Sequence, residues 1–175
     1  MRRSIVWALP LAALAGCGGG GETGTRSKAK AEALQPGQYE VTAEVTAFKA
    51  ADDGIPKIDT KQGTSTTRNV CVTDSAALPT DLFTDDGFTC RNAGNMFVRS
   101  GTISANLDCT RAGLSGGMGY AVSGTFSGDA FEAERQFKTR LATDGDVEVT
   151  STLRGRRTGE CTVAPAAAGE AEKSK

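Results

Sequence analysis

Between residues 38 and 157, apolar and polar side chains alternate with a period of two, the signature of half-buried β-strands. From Gln38 to Phe48, the residues Tyr39, Val41, Ala43 and Val45 face one way. Glu40, Thr42, Glu44 and Thr46 face the other, with threonine suited to the pleat. A second, more polar and threonine-rich strand is predicted over Lys61 to Val72. Thr73 is a helix N-cap candidate followed by Asp74 and Ser75, and Pro79 cannot continue a helix. One short helical turn is therefore expected over Thr73 to Leu78.

Beyond Cys90 the pattern predicts a meander. Met96 to Arg99 turns at Ser100-Gly101 into Thr102 to Thr110, with Ile103, Ala105, Leu107 and Cys109 on one face. A glycine-rich bend over Gly113 to Gly119 leads to Tyr120, Val122, Gly124 and Phe126. Ser127-Gly128-Asp129 then turns into a long strand whose inner face carries Phe131, Ala133, Arg135, Phe137, Thr139 and Leu141. Asp144-Gly145 supplies the positive φ angles of a two-residue type I′ hairpin. The last strand places Val147, Val149, Ser151, Leu153 and Gly155 inward, and Asp146, Glu148, Thr150, Thr152, Arg154 and Arg156 outward. The expected fold is all-β: a single antiparallel meander sheet, strongly curved, as an open half-barrel or a small barrel.

The two ends break this pattern. Arg2 and Arg3, the apolar run from Ile5 to Ala15, and Leu14-Ala15-Gly16-Cys17 read as a lipoprotein signal peptide over residues 1–16. An apolar helix of that length reaches roughly 16 Å, about half of a ~30 Å hydrocarbon core, so it is not read as a membrane span. The expectation is that Cys17 is acylated and becomes the first mature residue. One acyl chain holds a protein only marginally, so stable anchoring implies several on Cys17. Gly18 is not the aspartate of inner-membrane retention, which points to the outer membrane, with the protein facing the periplasm. Residues 17–33 read as a flexible linker, 34–163 as one all-β domain and 164–175 as a disordered tail.

Composition narrows the chemistry. Cleavage after residue 16 removes Arg2 and Arg3, taking 20 Lys and Arg to 18 against 21 Asp and Glu, a net charge of −3. That balance speaks against a nucleic-acid partner. The chain has no histidine, which excludes Ser-His-Asp and Cys-His nucleophile pairs and imidazole-ligated metal sites. No cofactor is expected.

With Cys17 acylated, Cys71, Cys90, Cys109 and Cys161 remain, an even number in an exported domain. Two disulfides are expected. A four-thiolate zinc site is the rival, but no Cys-x-x-Cys spacing supports it. Cys90 and Cys109 are nearly symmetric about Ser100, so a hairpin there sets them opposite each other and favours Cys90–Cys109 with Cys71–Cys161. The pairing Cys71–Cys90 with Cys109–Cys161 remains open, because its first loop centres on the turn-forming Pro79-Thr80-Asp81.

Several motifs in a fixed order carry a resemblance. They are Leu34-Gln35-Pro36-Gly37-Gln38-Tyr39-Glu40-Val41, Cys71-Val72-Thr73, the spaced Cys90 and Cys109, Val122-Ser123-Gly124-Thr125-Phe126-Ser127-Gly128-Asp129, and Gly155-Arg156-Arg157-Thr158-Gly159-Glu160-Cys161. Together, over about residues 34–161, they resemble a proteobacterial envelope family known only as domain of unknown function 3617. The resemblance implies an exported all-β domain, often a lipoprotein, and brings no catalytic residues with it.

Four arginines are candidate contacts for a ligand or partner. Arg154, Arg156 and Arg157 form the one basic cluster of the domain. The first two also read as a solvated face opposite Glu132 and Glu134, whereas the parity of Arg157 points it inward. Arg135 falls on the core face, where its stem either snorkels to the rim or lines a cavity. Asp52-Asp53 and Asp85-Asp86 lack the oxygen spacing of a calcium loop and read as loop solvation. Glu132 and Glu134, about 7 Å apart along one face, have a glycosidase-like spacing but read as solubilising charge. The functional expectation is a membrane-anchored, non-enzymatic periplasmic module that binds an envelope protein or a small amphiphile. The alternative is an inhibitor of an exported hydrolase, such as a lysozyme or protease, through the loop at Ala50–Lys61 or Ala112–Gly119.

Overall fold

A computed structural model describes residues 33–94, 96–143 and 145–162. The signal peptide, Cys17, the linker and the C-terminal tail of the sequence reading lie outside the described residues. Eight strands form one antiparallel sheet: β1 (Gly37–Ala50), β2 (Ser65–Val72), β3 (Phe88–Asn92), β4 (Phe97–Arg99), β5 (Thr102–Arg111), β6 (Gly116–Phe126), β7 (Ala130–Leu141) and β8 (Val147–Gly159). Their order across the sheet is β2-β1-β8-β7-β6-β5-β3, with β4 also on β5. The meander from β5 to β8 is as expected, and it continues because β1 lies beside β8. The sheet curves into a half-barrel.

Its concave face is the predicted inner face. Tyr39, Val41, Ile103, Leu107, Phe131, Phe137, Val149 and Leu153 are all buried there. β1 keeps its period of two as far as Val45. Thr46 is then skipped in the register with β8, and Phe48 comes to pair with Val149. Such a bulge adds one residue and sharpens the local bend.

The connection from β2 to β3, residues 73–87, crosses the open side of the half-barrel as a strap. Its own Leu78, Leu82, Phe83 and Thr84 are buried. Arg68 of β2 donates to the carbonyls of Asp81 and Leu82, and Thr80 Oγ1 donates to the carbonyl of Cys90 in β3. The strap thus links the two edges of the sheet, and among the described residues no ladder joins β2 to β3.

Three local expectations need correction. The helical turn is not at Thr73–Leu78 but is a 3-10 turn at Thr80–Leu82, with Pro79 preceding it at φ −66°. Proline's fixed φ and missing N–H suit the start of a helical turn, so Pro79 opens the turn that it was expected to close. Asp74 instead accepts from the N–H of Ala76 at 2.7 Å, an Asx turn. The glycine bend is shorter than expected, because β6 already begins at Gly116. Gly119 pairs with both Asp108 and Lys138, so these small residues lie within the sheet.

Asp144-Gly145 is not a two-residue hairpin. β7 ends at Leu141 and β8 starts at Val147, with Asp144 itself outside the described residues. Two carboxylates shape this longer connection. Asp146 accepts from the Leu141 N–H at 2.7 Å and from Thr139 Oγ1 at 2.9 Å. Asp52, from the β1–β2 loop, accepts from the N–H groups of Gly145 and Asp146, each at 2.9 Å. Gly145, at φ 116°, also passes so close to the Ile55 carbonyl that a Cβ would collide with it.

Candidate functional site

Among the described residues, the core of the half-barrel contains one charged side chain. Arg135 lies on the inner face of β7 between Ala133 and Phe137, and its side chain is 3 % exposed. It lines the interior, and the alternative in which its stem snorkels to the rim is not what the fold adopts. Snorkelling fails because the strap covers this stretch of the concave face.

The strap also supplies the partners. Arg135 Nη1 contacts Asp85 Oδ1 at 2.8 Å and the Phe83 carbonyl at 3.2 Å, and Nη2 reaches Ser151 Oγ of β8 at 3.3 Å. Tyr120 of β6 donates its hydroxyl to Asp85 Oδ2 at 3.2 Å, and the guanidinium carbon lies 5.0 Å from the Tyr120 ring centroid. Burial, helped by the charge of Asp85, raises the Tyr120 pKa well above its usual value, so it remains a hydrogen-bond donor. Arg135 Nε meets no acceptor among the described residues. A buried donor in that condition costs free energy unless something else accepts from it.

Beside this network is a cavity of about 190 Å³ that Arg135 and Asp85 help to line. Its walls include Val45, Phe88, Phe137 and Val149, and exposed residues such as Asp59, Thr64 and Asp86 stand around it. A larger depression of about 620 Å³ lies on the outer face, where Gly117, Gly119 and Ala121 stand between Lys138 and Asn106. Its polar side chains are solvated, and Lys138 is already paired with Glu148 at 3.0 Å. The smaller cavity is the better candidate because it joins an apolar wall to a desolvated, incompletely bonded polar group.

The other candidates are structural in their contacts. Arg154 pairs with Glu132 at 3.4 Å and with Glu44 at 3.7 Å, as a solvated cross-strand face should. Arg156 stands opposite Ala130 and Glu40, so the expected match with Glu134 is displaced: Glu134 pairs with Thr152. Arg157 is only partly inward. It lies over Gly37, donates Nε–H to the Pro36 carbonyl at 2.7 Å and pairs with Glu160. A bulge at Thr158, where Gln38 pairs with Gly159 but Tyr39 with Arg157, turns it from the interior. The structure therefore brings none of these three to the cavity.

The bridges are Cys71–Cys161 and Cys90–Cys109, with Cα atoms 5.4 and 4.1 Å apart. Cys90 and Cys109 are directly opposed in the β3–β5 ladder. Each bridge fastens one flank of the strap.

The residues that sequence reasoning missed are Asp85, Tyr120 and Ser151 as partners of Arg135. The available signal is the apolar cluster Leu78, Leu82 and Phe83, a few residues before Asp85. Such a segment has to be buried, and it carries Asp85 in with it.

A family model described as "Protein of unknown function (DUF3617)" matches residues 34–161. No curated protein and no solved structure matches the chain.

Proposed function

The chain belongs to the DUF3617 family, and from that premise we propose that it is a lipid-tethered, non-enzymatic envelope module that binds a small amphiphile in the Arg135 cavity. The carrying observation is the desolvated guanidinium whose Nε has no acceptor, set beside apolar walls in a 190 Å³ space. At the packing of benzene in a cavity of roughly 150 Å³, that space takes about eight heavy atoms. The absence of histidine from the whole chain supports binding over catalysis, and the lipobox-like Leu14 to Cys17 supports the tether. The bilayer is then the first partner, through acylated Cys17, with the domain on the periplasmic side of the outer membrane.

Native mass spectrometry of the protein taken from its source membrane tests both parts. Wild type should carry acyl mass on Cys17 and a small ligand that Arg135→Met loses, and Cys17→Ser should move the protein to the soluble fraction. A wild-type protein with no attached ligand overturns the binding role.

One observation favours inhibition of an exported hydrolase as a second reading. In the Ala50–Lys61 loop, Ile55 is 83 % exposed, yet the loop is braced by Asp52 and by the Lys57 N–H to Gly145 carbonyl bond at 3.1 Å. A rigid loop with an apolar tip suits insertion into an active site. The domain should then inhibit a muramidase or protease at micromolar levels and lose that effect in Ile55→Asp. No inhibition across a panel of both removes this reading.

A further inference from the structure

The chain enters the fold at a fixed point. Leu34 is buried, Gln35 donates its N–H to the Gly128 carbonyl at 2.7 Å, and the Pro36 carbonyl accepts from Arg157 Nε at 2.7 Å. The turn over Ser127 to Asp129 is joined to the Ser100-Gly101 turn, because the Phe126 N–H bonds to the Gly101 carbonyl at 3.1 Å. These turns and the start of β1 make one rim of the half-barrel, the entry rim. The far rim lies at the other ends of the same strands. It holds the Ala50–Lys61 loop with Ile55, the Asp52 contacts to Gly145, and the exposed Asp59 and Thr64 beside the Arg135 cavity.

Next to the entry rim is an apolar shelf. Phe97 is 36 % exposed and, with Ile55, is one of the two exposed large hydrophobic side chains among the described residues. It stands on β4, just before the Ser100-Gly101 turn. Met96 and Val98 beside it are half-buried, and Ala76 and Ala77 of the strap are exposed across a depression of about 530 Å³. The Arg99 guanidinium lies 4.6 Å from the Phe97 ring centroid and makes no ion pair among the described residues. An apolar ring beside an unpaired cation suits the boundary between acyl chains and lipid phosphates.

Tether length chooses between the rims, given the lipid anchor proposed above. Residues 17–33, as the linker of the sequence reading, give an end-to-end distance of roughly 21–25 Å. β1 alone, 14 residues at about 3.3 Å each, carries the chain about 45 Å from the entry rim toward the Ile55 loop. Bringing Ile55 to the membrane surface would stretch the linker to about twice its natural span. Bringing Phe97 there needs no such stretch. We propose that the entry rim and the β4 shelf rest on the bilayer, with Phe97 in the acyl boundary and Arg99 at the lipid phosphates. Ile55 and the Arg135 cavity then face away from the membrane, so the cavity fills from solution.

The test uses the acylated mature chain, with the acyl mass on Cys17 verified first. It is placed in nanodiscs of phosphatidylethanolamine and phosphatidylglycerol in which a small fraction of headgroups carries chelated gadolinium. The Met96 and Val98 methyl resonances should broaden about threefold or more beyond those of Ile55, and Phe97→Asp should roughly halve that ratio. Equal broadening, or more at Ile55, overturns the inference while leaving the anchor intact. Met96 shifts that grow with protein concentration, without a gadolinium effect, put a second copy on β4 and overturn it too. An unchanged ratio in Phe97→Asp removes Phe97 as the contact. A chain without acyl mass on Cys17 ends the anchor and this inference together.

Discussion

Phe131 and Gly155 face each other across β7 and β8, and the phenylalanine ring fills the space that a side chain at 155 would need. A Cβ there would overlap the ring carbons, and the ring is held in turn by Tyr39 and Phe83, at centroid distances of 6.4 and 6.0 Å. Gly155→Ala should therefore destabilise the fold by about 1–3 kcal/mol, as overpacking does. Urea unfolding measures it. Phe131→Leu in the same chain should recover part of the loss, because the two sites are in contact.

The Arg135–Asp85 pair should respond unequally to the removal of either partner. The arginine is buried, whereas the Asp85 side chain is 37 % exposed and can rehydrate. Asp85→Ala leaves an uncompensated buried charge, at a cost of about 3–5 kcal/mol. Arg135→Met keeps much of the volume and leaves only the accessible carboxylate, so its cost should be smaller, about 1–3 kcal/mol. Equal urea midpoints for the two variants would contradict this ordering.

The two bridges should differ in worth. Residues 71–161 form the longer loop and 90–109 the shorter, with sequence separations of 90 and 19. Chain-entropy reasoning gives upper guides of about 4.5 and about 3 kcal/mol. Replacing Cys71 and Cys161 with alanine should lower the unfolding midpoint more than replacing Cys90 and Cys109.

Stability should fall at both ends of the pH scale, for different groups. Hydrogen bonds from the N–H groups of Asp146 and Gly145 lead in holding the Asp52 carboxyl below its ordinary range. A carboxyl depressed in the fold contributes fully above its unfolded pKa of about 3.9 and loses that contribution as pH falls through the folded value. Asp52→Asn should flatten this acid limb, and the Gly145 and Asp146 amide shifts should report the titration. At the other end, burial pushes Tyr39 up to about 12, opposed by the charge of Arg157. Its folded pKa then exceeds the unfolded value of about 10, so stability declines as pH rises from about 10 to about 12. Tyr120, which burial also raises, acts in the same direction, so Tyr39→Phe should reduce this dependence and leave the part due to Tyr120.

How much of this was legible beforehand follows from how local each determinant is. Alternation needs only neighbours, so the inner residues of β5, β7 and β8 were readable. So was the turn at Ser100-Gly101, where both residues take positive φ, 51° and 69°. Cys90 opposite Cys109 followed from that turn. The pairing of β1 with β8 joins residues from 97 (Ala50 and Val147) to 121 (Gln38 and Gly159) apart in the chain, and no local pattern announces it. The site was half legible: Arg135 was identified by its parity, but Asp85 reaches it only because the strap crosses the sheet. The Asp144-Gly145 connection misled because Asp52, remote in sequence, takes over its backbone donors.

Placing the first strand against the last has a consequence for biogenesis. β1 and β2 can join the rest of the sheet only through β8, so the N-terminal hairpin has no docking edge until nearly the whole chain is available. During synthesis the segment before Val147 must persist without its final partner, and a chain truncated there would leave that hairpin unattached. Such non-local closure slows folding.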